Sequence, residues 1–220
     1  TSNFAENTAT GSGGAVMVVN DFTGGIHDSM LTHNSAGASG GAVMVRGNFS
    51  GGLVGAQFDA NQSGPGGHGG AMAVNGAFDG GITNSIFDSN ISATGPGNGG
   101  ALSVDGAFSN GITNSTFQNN KAGNEGLGGA VYLADTFSGG ITGSQFEGNQ
   151  ALSGGAIYLH NGGIDNIGGQ SLFDGNVATA LNGRSSGAGG AIALNDGDLT
   201  ISSAVFMRNK AVGEAGDPSS

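Results

Sequence analysis

Four carboxylates recur at one position of a repeated pattern. Asp59, Asp88, Glu147 and Asp174 each directly follow a phenylalanine and stand two residues before an asparagine. On neighbouring strands of one sheet such a column sets carboxyl groups about 5 Å apart. That spacing suits an acid/base pair acting on a polysaccharide, or oxygen ligands for Ca²⁺ helped by backbone carbonyls. No Lys or Arg shares the column to stabilise an anion. The simpler expectation is a solvated acidic stripe, with no catalytic residue, metal or cofactor. The calcium-binding nonapeptide repeat is absent.

A second column holds larger groups. Two residues after each Gly-Gly-Ala alanine come Met17, Met44, Ala73, Ser103, Tyr132, Tyr158 and Ala193. If their apolar neighbours face inward, these face out, and Met17, Met44, Tyr132 and Tyr158 become candidates for partner contact. The histidines, 27, 33, 68 and 160, share no ligand spacing. Gly64 to Gly69 matches Gly-x-Gly-x-x-Gly, but no helix pattern follows, so it reads as a loop rather than a nucleotide site. Thr83, Thr113, Thr142 and Thr200 share a column that His27 and Val54 interrupt, too broken for a flat ice-binding array. Four glycosylation sequons occur, two of them on the repeating asparagines Asn61 and Asn90, where modification is not expected.

The elements that place these columns are repeats. Gly-Gly-Ala occurs seven times, with alanines at 15, 42, 71, 101, 130, 156 and 191; Phe-x-x-Asn occurs seven times, and Leu31–Asn34 adds an eighth copy with Leu. The first five alanines each precede an asparagine of the second motif by 19 residues. After each alanine an apolar, variable, apolar triplet reads as a short strand with one buried face. All 12 Phe fall in two columns, which implies stacking rather than a globular core. Three short strands per coil, stacked seven to eight coils deep, predict a parallel β-solenoid on the order of 35 Å long. In it Phe58, Phe87, Phe117 and Phe146 form a ring ladder. Asn61, Asn90, Asn120 and Asn149 form an amide ladder and supply left-handed corners.

Length variation concentrates between the asparagine and the next Gly-Gly, where 5, 5, 7, 8, 7, 4 and 12 residues intervene. Insertions on a solenoid gather on one face, often the binding face. His68, Asn98 and Arg184 in this corner are therefore further partner-binding candidates.

Composition narrows the classes. The 48 Gly of 220 residues would signal low complexity but for the regular apolar columns. A net charge of −11 with scattered basic residues makes nucleic acid and anionic membrane surfaces poor candidates as partners, and no direct membrane insertion is expected. The chain has no Cys, so no disulfide, and no apolar run long enough for a membrane-spanning helix. Lack of Cys fits export before folding. The chain opens inside a repeat without a signal peptide and closes on a polar tail, 210–220, as one domain, 1–220. Neither end shows a polar cap, which fits excision from a longer passenger or head-to-tail stacking of copies.

Gly-Gly-Ala-[Ile/Leu/Val] paired with Phe-x-x-Asn, from Phe4 to Asn209, resembles the repeat of the polymorphic membrane proteins. These are autotransported bacterial surface adhesins. The resemblance implies a right-handed parallel β-helix, a handedness that parallel crossovers also favour. It further implies secretion, a bacterial cell-surface location and non-enzymatic adhesion to a receptor or glycan on host or neighbouring cells. A self-assembling extracellular fibre subunit is the alternative expectation, and a polysaccharide-active enzyme the third.

Overall fold

The computed structural model describes residues 1–180 and 188–213. Among them every named strand pairing is parallel, and no helix is present. The chain winds as a β-solenoid of about seven turns. A typical coil runs Met72–Val74, Ile82–Thr83, Ile86–Asp88 and Ile91–Ser92. The three expected strand columns are all present, in sheets of seven, seven and eight strands. A fourth, short rung after each asparagine forms two smaller sheets, of four and three strands, which Lys121 bridges. Lys210–Val212, expected as the start of a polar tail, is one such rung and pairs with Val177–Thr179.

The two glycines of Gly-Gly-Ala do different work. The first turns left-handed: φ is +67° at Gly40 and +64° at Gly99, a region closed to most side chains. The second is a point of close approach between coils. A Cβ on Gly70 would lie 2.1 Å from the Gly100 carbonyl oxygen, and one on Gly100 would lie 2.0 Å from that of Gly129. The alanine is fully buried at Ala42, Ala71, Ala101, Ala130 and Ala156.

The aromatic columns pack as ladders. Successive rings from Phe58 through Phe206 have centroids 4.6–4.9 Å apart and interplanar angles of 1–5°. Near-parallel rings at that separation are offset stacks, each worth about 0.5–1.5 kcal/mol beyond burial. The other column, Phe22 to Phe137, is less regular, with angles of 9–43°, and Ile164 continues it.

The asparagines form a continuous buried ladder. Each backbone N–H and each Nδ2 donates to the Oδ1 of the next asparagine, as in Asn90 to Asn120, both at 3.0 Å. The same Nδ2 also donates to a carbonyl one coil back, Asn90 to Phe58 at 3.0 Å. The left-handed residue at this corner is not the asparagine but the one before it: Ala60, Ser89, Asn119 and Arg208 have φ of 51–55°. The asparagine is therefore selected for its amide, which both donates and accepts, and not for backbone tolerance. A second ladder, not anticipated from the motifs, runs through buried serines. Ser85 and Ser115 donate their N–H to Ser115 Oγ and Ser144 Oγ, each at 3.1 Å.

Asn120 accepts from Asn90 and donates to Phe87 and Asn149. Asn120→Ala should thus strand several buried groups and lower stability by about 2–4 kcal/mol. A denaturation midpoint followed by circular dichroism reads this directly; an unchanged midpoint would show that the ladder is decorative.

Candidate interaction face

The expected Met/Tyr stripe lies on the outer side of the seven-stranded Gly-Gly-Ala sheet, in register: Met17↔Met44↔Ala73↔Ser103↔Tyr132↔Tyr158↔Ala193. Its exposure departs from the expectation. Met44 is only 4% exposed, and Ala73 and Ser103 are as buried. Met17, on the outermost strand of the sheet, is 36% exposed. Met17 lacks a neighbouring strand on one side, whereas Met44 has one on both. The continuous stripe thus reduces to Tyr132 and Tyr158, half-exposed and stacked at 6.0 Å with an interplanar angle of 12°.

Asp105 adjoins this pair and was not anticipated. It lies two residues beyond Ser103, in the same outward phase. Burial raises its carboxyl pKa, and the nearby His68 partly offsets that rise. Burial also raises the Tyr132 phenol, with smaller contributions from the Asp105 charge and from Tyr158. The two phenol hydroxyls and the Asp105 carboxylate therefore share an accessible face, an arrangement suited to hydrogen bonding with a polar partner.

His68 and Asn98 come together, but as scaffold. Both are half-buried. The His68 N–H donates to Ser39 Oγ (3.1 Å), the Asn98 N–H to His68 Nδ1 (3.0 Å), and the Leu127 N–H to Asn98 Oδ1 (2.9 Å). This third ladder clamps the variable corner of successive coils. The sequence marks both as partner-binding candidates; each keeps part of its side chain at the surface while its acceptor braces the corner. The signal available in the sequence was position: all four residues immediately precede the Gly-Gly pair. Arg184 lies outside the described residues.

The acidic column is real, with Asp59, Asp88, Glu147 and Asp174 in parallel register around Gln118. Two of its members are engaged. Asp88 accepts from Ser89 Oγ, Gln118 Nε2 and Asn119 Nδ2. Asp174 is paired with Arg208, which reaches over from the adjacent column. Hydrogen bonding to Arg208 holds the Asp174 carboxyl below the usual carboxylate range, and the guanidinium is raised in turn. Among the described residues no group of three or more His, Cys, Asp or Glu is placed to hold a metal ion. A shallow groove runs beside the column after the asparagines, lined by Lys121, Asn124, Gln150 and Thr179 among others.

A depressed Asp174 pKa means that its pairing stabilises the fold above the ordinary carboxylate range and ceases to do so as pH falls through the folded value. Arg208→Ala should raise the Asp174 pKa in a carboxyl NMR titration. Its small stability cost should be present at pH 7 and vanish in acid. A titration curve for Asp174 that the substitution leaves in place would disprove the pairing.

No curated protein and no solved structure matches the chain. Tyr132 and Tyr158 fall one in each of two stretches, 114–134 and 143–160, that match a family model. Over those stretches the chain is similar to the Chlamydia polymorphic membrane protein repeat.

Proposed function

We propose that this β-solenoid is a non-enzymatic attachment module of a bacterial cell surface, contacting a receptor or glycan on host or neighbouring cells. The observation that carries this is the placement of the stacked Tyr132–Tyr158 pair. Both residues lie within the matched repeats, and both project from a sheet whose other central outward positions are buried. The buried columns are committed to rings, amides and close backbone contacts. Variation is thereby left to the outward phase and the variable corner. The repeat family supports surface association. The acidic column supports attachment over catalysis, because Asp88 already has three protein partners and Asp174 is paired with Arg208, so neither is poised as a free acid or base.

Replacing both Tyr132 and Tyr158 by Ala should weaken adhesion to cells or arrayed glycans at least about tenfold. Circular dichroism should remain that of the parent chain. Retained binding with both rings removed would rule the tyrosine face out.

A second reading, end-to-end assembly, draws on the exposed Leu199, Ile201, Val205, Phe206 and Met207 of the last strands. Light scattering against concentration tests this reading: a constant, monomeric mass would favour the attachment module, and growth into filaments would reverse the ranking.

A further inference from the structure

The third ladder contains one member that differs in kind from the rest. Ser39, His68 and Asn98 each offer a side-chain acceptor to the backbone N–H of the next coil, at 2.9–3.1 Å. A serine hydroxyl and an asparagine carbonyl accept at any pH. An imidazole nitrogen accepts only while it is unprotonated. Because Nδ1 receives the Asn98 N–H, the neutral ring must carry its hydrogen on Nε2. A second proton can enter only at Nδ1. The ring then presents an N–H to the N–H of Asn98, and the rung changes from attraction to repulsion.

We propose that His68 is a proton-sensitive clip of the variable corner: neutral, it ties coil to coil at Asn98; protonated, it releases that backbone amide. Histidine is the side chain that changes charge between about pH 5 and 8. Asp105 is the carboxylate facing His68, with Tyr132 next to it. The released imidazolium stays within electrostatic reach of Asp105. Release is local, because the flanking bonds do not involve imidazole. The Gly69 N–H still donates to the Asn98 carbonyl at 2.9 Å, and the Gly40 N–H to that of His68 at 2.9 Å. The clip borders the Tyr132–Asp105 face, yet the inference is independent of what that face binds.

The chain carries its own control. Asn98 holds the equivalent place one coil on and bonds Leu127 without a titrating group. Amide hydrogen exchange, expressed as protection factors to remove the intrinsic pH dependence, reads both rungs at once. Between pH 8 and pH 5 the Asn98 amide should lose roughly two- to tenfold of its protection. The Leu127 amide should keep its own. His68→Asn should abolish the pH dependence at Asn98 while restoring the bond. His68→Ala should leave Asn98 weakly protected at both pH values. Equal protection of Asn98 at the two pH values would overturn the proposal. So would a loss shared by Leu127, or one that persists in His68→Asn.

Discussion

Everything in this molecule depends on how closely one coil can lie on the next. Stacked parallel strands sit near 4.8 Å, and the Gly-Gly corners enforce that approach because no Cβ fits between them. A methyl group at Gly100 would fall within 2.0 Å of a carbonyl oxygen in the adjacent coil. Given that spacing, identical side chains in successive coils are brought into contact by necessity. Rings then stack, and amides then bond along the axis. A repeat with looser corners would separate the rings and break the amide chain together.

The buried polar groups obey the same geometry. A solenoid turns four corners per coil, and each corner leaves backbone N–H groups without a sheet partner. Asparagine, serine and the Ser39–His68–Asn98 series each supply an acceptor at the spacing of one coil. The asparagine ladder is the most economical, since one amide accepts twice and donates twice. Its Nδ2 and Oδ1 bonds are buried from Asn34 to Asn176, where net hydrogen-bond energies are largest when satisfied and most costly when not.

The proposed function draws on what the repeat commits least. That is the outward phase of a strand, the insertions between asparagine and Gly-Gly, and a few charges in adjacent columns. The tyrosine pair beside Asp105, and the corner that His68 clips to Asn98, lie next to each other in that free territory. A surface-attachment role needs no more than this: a rigid rod and a small, chemically distinct patch along it.

The β-solenoid, its strand columns and the stacking of the phenylalanines in two ladders were legible from the chain alone, because a fixed repeat with period-two apolar positions admits few other folds. The acidic column was legible for the same reason. Which outward residues are accessible was not. Met44 and Tyr132 occupy the same column, but burial depends on the neighbours that each coil provides, and no single repeat contains them. The pairing of Arg208 with Asp174 joins residues in different columns, 34 positions apart, and the nearness of Asp105 to His68 likewise crosses columns. Periodicity places residues within a column; only the wound chain decides which columns lie side by side.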